Sequence, residues 1–328
     1  MNIFLTIDYE LFLGERSGTV ENCLLNPMDL LCKEIDKYGV KLTVFVDAAY
    51  LLRLFELKEI YPSLKKDYEC VSRHIKSLAQ DDHDIQMHFH PQWMYSSYDN
   101  LEWKIDMTHY KLSDMEFDFM NVSFSKAKSL LEKIVNKKIH AFRAGGYSIQ
   151  SLPDYSNFFI RNEIAIDSSV SRYSKIKSDK HYFDYSNIPN EIIYNFSDDI
   201  CKKEDTGKIK EVSITALKMS GIEYLLYRII NKYKYKNNTK IGDGYGMSKK
   251  RNIRNLITTK PICASLDCVL SPYLFKIFNN RLKNTERNFV AIGHPKSFSF
   301  DSISIISRFV KKNIKDHKFL TFADIDIS

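Results

Sequence analysis

The chain has 328 residues, and its 48 Lys and Arg against 41 Asp and Glu give a formal net charge of +7. General disorder is excluded by the hydrophobic fraction of 44% and the charged fraction of 27%. Collagen-like and low-complexity structure are excluded because the chain has only 11 Gly and 8 Pro. The positive excess is mild for this length, so we expect no nucleic-acid partner.

The six cysteines form no CxxC pair, which favours reduced thiols. The N-terminus, MNIFLTIDYE, lacks a basic leader followed by an apolar run. Polar residues interrupt every apolar stretch before it reaches the roughly 18 residues that a membrane-spanning helix needs. We therefore expect a soluble cytoplasmic protein.

Strand-like and helix-like segments alternate along the chain. The predicted strands cover 2–8, 41–46, 84–88, 139–142, 163–166, 211–215, 289–292 and 319–322. Asn26 and Pro27 are typical of a helix start and Gly39 of its end, and Ser113 with Glu116 fits a capping box. Further helices are predicted over 67–80, after 271–272 and from 301. This alternation indicates a parallel sheet with helical crossovers.

The range 171–260 is rich in Lys, Asn, Tyr and Ser and has weak periodicity. Within it, 222–235 (IEYLLYRIINKYKY) has the pattern of a basic amphipathic helix. Such a helix either covers the barrel with a solvated Lys face or contacts a membrane surface.

Polar residues follow several predicted strands, at the edge where parallel α/β folds build active sites. Asp8 and Glu10 in TIDYE point to one face because strand side chains alternate. His88 and His90 in HDIQMHFHP share a face in the same way. Buried carboxylates need a cation or donors, and two imidazoles suit a zinc-type site. The simpler alternatives are a loop salt bridge and two hydrogen-bonded loop histidines.

Two further strand ends carry Arg143 in FRAGGY and His294 in AIGHPKS. The Gly-Gly turn after Arg143 lets backbone N–H groups approach a ligand, and the guanidinium can hold a carboxylate. His294 is a candidate general acid or base. A cation, a carboxylate base, an oxyanion donor and an acidic His are the parts needed to hydrolyse an amide or ester.

At these residues the sequence resembles the NodB-type polysaccharide deacetylases, carbohydrate esterase family 4 in the broad sense. TIDYE, HDIQMHFHP, FRAGGY, AIDSSVS around Asp167 and AIGHPKS stand in the order of that family's five motifs. Tyr9 stands where the family's second, metal-binding Asp falls, and the histidine spacing is HxH. The resemblance implies a distorted TIM-like (β/α) barrel of seven or eight strands, forming one domain over 1–328 with an insertion around 171–260.

The resemblance also implies metal-dependent removal of an N-acetyl or other acyl group from an amino sugar in a saccharide or glycan precursor. It looks closest to the bacterial branch linked to surface-polysaccharide biosynthesis. The expected cofactor is a divalent cation, and Zn²⁺ is the expected ion. It would be bound by Glu10, His88 and His90, although Asp8 is an alternative carboxylate ligand.

Roles for five further residues follow from the resemblance, and an aromatic wall is added from the sequence. Asp8, oriented by Arg143, is the expected base; the Tyr147 backbone N–H stabilises the oxyanion; and His294, tuned by Asp167, protonates the amine. The aromatic residues that follow the His motif, Trp93, Tyr95 and Tyr98, could form a sugar-stacking wall or pack at the barrel rim.

Two other classes of function stay open at this point. One is a degenerate barrel that binds carbohydrate without hydrolysing it. The other is a basic protein that associates with membranes or anionic polymers.

Overall fold

A computed structural model of the chain describes residues 1–150, 152, 154–178, 181–246, 258–284 and 287–327. Its strands are β1 (Asn2–Tyr9), β2 (Thr43–Asp47), β3 (Asp84–Phe89), β4 (Ser97–Asp99), β5 (Glu102–Lys104), β6 (Ala141–Ala144), β7 (Ile166–Asp167), β8 (Lys175–Lys177), β9 (Tyr182–Asp184), β10 (Ile193–Phe196), β11 (Ile209–Val212), β12 (Ala216–Met219), β13 (Lys260–Cys263), β14 (Asn288–Gly293) and β15 (Lys318–Leu320). Its α-helices are α1 (Asn26–Ile35), α2 (Ala48–Leu57), α3 (Pro62–Gln80), α4 (Gln92–Tyr95), α5 (Phe117–Val135), α6 (Tyr155–Arg161), α7 (Gly221–Lys234), α8 (Leu274–Lys283) and α9 (Phe300–Asn313).

The central strands are buried on both faces, which is why they are nearly continuous apolar runs in the sequence. Every residue of β1 after Asn2 and every residue of β2 is buried. Parallel strands covered by helices on one side and a barrel interior on the other have this composition.

The main sheet runs in the order β10-β11-β7-β6-β3-β2-β1-β14, and β15 also pairs with β1. All its pairings are parallel except that of β10 with β11. Thr215, just after β11, donates its N–H to the Val290 carbonyl of β14 at 3.0 Å and accepts the Val290 N–H on Oγ1 at 2.9 Å. These bonds bring the two sides of the sheet together, so the sheet is a nearly closed (β/α) barrel, as predicted.

The barrel interior has an apolar floor and a polar upper layer. The floor is a cluster of buried side chains that includes Phe4, Phe45, Val212 and Val290. The strand register places Asp47 beside His88 and His88 beside Arg143, at the carboxyl ends of β2, β3 and β6. The polar residues singled out from the sequence therefore lie at one end of the barrel.

The helices differ in part from the sequence prediction. The sequence analysis missed α2, α4 and α6. The N-cap of α2 is Asp47, which accepts the Tyr50 N–H. The predicted capping box at Ser113 is wrong, because Glu116 is itself the N-cap of α5 and its carboxylate accepts the backbone N–H groups of residues 118 and 119.

The range 171–260 contributes β10 and β11 to the main sheet, while the β8–β9 hairpin and α7 lie outside that sheet. Residues 247–257 lie outside the described part of the chain. The division into one domain with an insertion stays a prediction.

Candidate metal centre

Three side chains from the ends of β1 and β3 converge on one point. His88 Nε2 lies 3.1 Å and His90 Nε2 lies 2.5 Å from the same Glu10 oxygen, Oε2. One ligand atom from each residue lies within 4.8 Å of the others, and all three residues are buried. The period-two alternation of both strand ends therefore brings together the residues that the sequence analysis named as metal ligands.

The orientation of His88 favours a cation between these groups. Its Nδ1 lies 2.7 Å from the Arg143 carbonyl oxygen, which can only accept, so Nδ1 carries the proton. In the neutral ring the Nε2 lone pair then faces the Glu10 carboxylate. A hydrogen bond from the far ring nitrogen to a backbone carbonyl is the usual support of a metal-ligating His. Two imidazoles and one carboxylate with this orientation fit a Zn²⁺-type ion.

His90 is held by its backbone and by close packing of its ring. Its N–H donates to Asp47 Oδ1 at 3.3 Å. On the other side, a Cβ placed on Gly145 would lie 2.5 Å from His90 Nδ1. Position 145 therefore needs a glycine, because any larger residue would clash with the His90 ring. His90 Nδ1 itself has no hydrogen-bond partner among the described residues.

Glu10 also has a cationic partner that the sequence analysis missed. Lys296 Nζ donates to Glu10 Oε1 at 2.8 Å and to the Leu11 carbonyl at 2.7 Å. Burial raises the pKa of Glu10, but Lys296, His90 and His88 outweigh it and hold the pKa well below its usual value. Glu10 is therefore an ionised carboxylate whose Oε2 faces the histidines.

Asp8 lies beside this cluster and has a fixed orientation. Arg143 Nη1 donates to Asp8 Oδ1 at 2.5 Å. The rest of the guanidinium bonds to the Ser168 carbonyl and hydroxyl at 2.9 and 2.8 Å and lies over the Phe45 ring. Because Arg143 is fully buried, it positions Asp8 and does not meet solvent.

His294 faces both carboxylates from β14. Its Nε2 lies 3.7 Å from Asp8 Oδ2 and 3.8 Å from Glu10 Oε1. Asp267 Oδ2 accepts from His294 Nδ1 at 2.9 Å, and Oδ1 accepts the His294 backbone N–H at 2.8 Å. Burial lowers the pKa of His294, but Asp267, Asp8 and Glu10 raise it to about 9. His294 is therefore protonated near neutral pH.

The expectation that Asp167 tunes His294 is wrong in this structure. Asp167 accepts hydrogen bonds from Tyr155 Oη at 2.5 Å and Ser169 Oγ at 2.6 Å inside the barrel. Burial raises its pKa to about 6. The carboxylate that contacts His294 is Asp267, which the sequence analysis did not name.

Tyr147 belongs to a single 3₁₀ turn, Gly145–Tyr147, that follows β6. Gly146 and Tyr147 both have left-handed φ angles, 58° and 64°. This conformation is costly for a tyrosine. The Tyr147 carbonyl accepts from Tyr185 Oη at 2.6 Å, which holds the turn.

The expected aromatic wall is partly wrong. Trp93 is fully buried and its indole N–H donates to Asp47 Oδ2 at 2.7 Å, so it is a packing residue. Tyr98 is also buried, and its hydroxyl pairs with Ser63. Tyr95 is half-buried and stacks on His109 with ring centroids 3.5 Å apart.

The structure instead brings Tyr110 close to the centre. A Cβ on Gly146 would lie 2.7 Å from the Tyr110 ring. Burial and the charge of Glu10 raise the pKa of Tyr110 to about 12. Its ring also packs on His181 at 4.3 Å. Only the folding of the 105–111 loop over the Gly-Gly turn reveals this contact.

Comparison with known proteins supports the fold. No family model matches the chain, and no curated protein does. Among solved structures, a candidate polysaccharide deacetylase from Pseudomonas aeruginosa is 12% identical and has a TM-score of 0.52, with 98% of this chain and 88% of that chain covered. A second candidate polysaccharide deacetylase, from Mycobacterium smegmatis, is also 12% identical and has a TM-score of 0.51, with 98% and 87% covered. The fold resemblance to NodB-type deacetylases is confirmed.

Proposed function

We propose that this protein is a metal-dependent hydrolase that removes an N-acetyl or other acyl group from an amino sugar in a saccharide or glycan precursor. The observation that carries the proposal is the convergence of Glu10, His88 and His90, with Asp8 and His294 beside them. The names of the two structural neighbours, both polysaccharide deacetylase candidates, support the same substrate class.

Glu10, His88 and His90 are the residues that would hold the cation, and Zn²⁺ is the proposed ion. When bound, such an ion polarises the acyl carbonyl and lowers the pKa of water. The buried position of the three ligands excludes bulk water and strengthens every charge interaction there.

Asp8 is the proposed general base. Arg143 occupies Oδ1, which leaves Oδ2 on the side of His294 to accept a proton from the attacking water. The water oxygen then forms a bond to the acyl carbon. Because Arg143 is locked by Ser168, the base does not have to reorient during the reaction.

His294 is the proposed general acid. Asp267 holds its Nδ1, so Nε2 is the proton-donating atom, and it faces Asp8 and Glu10. As the C–N bond breaks, Nε2 gives its proton to the leaving nitrogen. The products are a free amine on the sugar and a carboxylate, acetate for an acetyl group.

The backbone N–H of Tyr147 is the proposed oxyanion donor, in the turn that also packs His90. Tyr95 and Tyr110 are the proposed sugar-contacting rings. Tyr110 is preferred because its ring packs against Gly146, in the same turn as Tyr147.

One observation favours a second candidate, a barrel that binds carbohydrate without catalysis. Lys296 already gives Glu10 a cationic partner at 2.8 Å. In such a protein the Lys296 ammonium would neutralise the negative charge of the Glu10 carboxylate, and no metal ion would be needed.

The test is acetate release from N-acetylglucosamine oligosaccharides by the Zn²⁺-loaded protein, with appearance of the free amine as a second readout. We expect release by the wild type and a loss of about 10²–10⁴-fold in Asp8→Asn, the usual contribution of a general base. Leu101→Gln, at an exposed residue outside the site, is the matched control. Saccharide binding with no acetate release would favour the second candidate.

A further inference from the structure

Helix α7 presents an apolar face to solvent. Six of its side chains are exposed by 41% to 76%: Ile222, Leu225, Leu226, Ile229, Ile230 and Tyr233. At 100° per residue these positions form one stripe about 140° wide. A contiguous apolar stripe on a helix surface marks an interaction site, whereas single exposed apolar residues do not.

The opposite face fixes the helix against the protein. Tyr224 and Tyr227 stack on Tyr273 with ring centroids 5.7 and 5.2 Å apart. Lys276 pairs with Glu223 at the first turn of the helix. The contacts of α7 with the rest of the protein are therefore on the face opposite the apolar stripe, and the stripe points outward.

The flanks of the stripe are basic. Arg228 and Lys232 lie on one side of it and Lys234 on the other, and all three are exposed. Glu223 is the sole acidic residue of α7, and Lys276 occupies its carboxylate. A positive border around an apolar face is complementary to an anionic surface. The same border opposes face-to-face pairing of two copies, which would bring like charges together.

We propose that α7 binds the surface of an anionic lipid bilayer, lying in the plane of the interface with its apolar stripe in the headgroup region. Leu and Ile on one face and Lys and Arg beside them are the features of an interfacial helix. Its 14 residues span about 21 Å, less than the roughly 30 Å of a hydrocarbon core. Among the described residues, no helix has the length and apolar character needed to cross a membrane. This inference does not depend on the proposed hydrolysis.

The experiment is flotation of the full chain with vesicles of phosphatidylglycerol and phosphatidylcholine, compared with vesicles of phosphatidylcholine alone. We expect binding to the anionic vesicles that weakens as NaCl rises, because the basic flanks are exposed to screening. Leu226→Gln with Ile230→Gln should weaken binding at least tenfold, since each buried aliphatic side chain contributes that much or more. Lys232→Gln with Lys234→Gln should reduce the preference for anionic vesicles, because only Arg228 of the three basic flank residues remains.

Val122→Gln on α5 is the matched control, because Val122 is 50% exposed and Leu226 is 55% exposed. It should bind like the wild type. Circular dichroism and the melting temperature report whether each variant is folded. The proposal is overturned if the folded wild type binds neither vesicle, or if the double apolar variant binds as tightly as the wild type. A dimer in analytical ultracentrifugation that the double apolar variant dissociates would assign the stripe to a second copy instead.

Discussion

Substituting Gly145 with Ala should disrupt the proposed metal centre without replacing any of the ligand residues. The added Cβ would lie 2.5 Å from His90 Nδ1 and 2.8 Å from Cγ and Cε1 of the same ring. Ordinary carbon contacts lie near 3.5–4.0 Å, so the ring must move by about 1 Å. A Zn–N bond tolerates about 0.2 Å, so this displacement removes His90 from the ligand set.

The assay is Zn²⁺ affinity by competition with a chelator, supported by the absorption spectrum of the Co²⁺-loaded protein. We expect Gly145→Ala to lower the affinity at least tenfold, as changes next to metal ligands commonly do. The control is Gly39→Ala, because a Cβ at Gly39 meets no atom within 4 Å although its φ of 67° is left-handed. That variant should lose some stability and keep its Zn²⁺ affinity. A folded Gly145→Ala protein with Zn²⁺ affinity within twofold of the wild type would refute the role of this packing.

Three further predictions concern individual side chains. Asp8→Asn should retain Zn²⁺ and lose the chemical step, whereas Glu10→Gln should lose Zn²⁺; equal metal loss in both, measured by metal analysis, would show that the roles are divided wrongly. His294→Ala should reduce kcat/KM for N-deacetylation by about 10²–10⁴-fold and for an activated aryl acetate much less, because a phenoxide leaves without protonation; an equal fall on both substrates would contradict the acid role. For His83, burial and then Lys41 lower the pKa to about 4, below the unfolded value near 6.5. As the pH falls, the unfolded chain therefore takes up the proton before the folded protein does. The contribution of neutral His83 to the free energy of unfolding is full above about pH 6.5 and declines by up to about 3 kcal/mol toward pH 4. In urea titrations the stability difference between the wild type and His83→Gln should shrink over that range, and a constant difference would contradict the prediction.

The strand ends of the site were predictable because they depend on local periodicity. Alternation along β1 and β3 is enough to bring Glu10, His88 and His90 to one face, and the buried apolar runs identify the strands themselves. Asp47 carried the same signal, a carboxylate at the end of a buried strand, and could have been found in that way.

The remaining contacts depend on segments that give no local signal. Asp267 follows a short stretch that is joined to β14 by a single bridge, Ser265 to Ile292, and this bridge places its carboxylate beside His294. Trp93 appeared to be a rim residue because it follows His90 by three positions. Its buried ring packs on Tyr50 and Trp103, and its indole N–H donates to Asp47, 46 residues earlier in the chain, contacts that no local pattern reveals.

A crystal structure of the Zn²⁺-loaded protein, with anomalous diffraction measured at the zinc edge, tests the central claim most directly. The account predicts one anomalous peak per chain, about 2.0–2.2 Å from His88 Nε2, His90 Nε2 and a Glu10 carboxylate oxygen. A fully occupied zinc site elsewhere, or an empty site between these side chains in protein that still releases acetate, would contradict it.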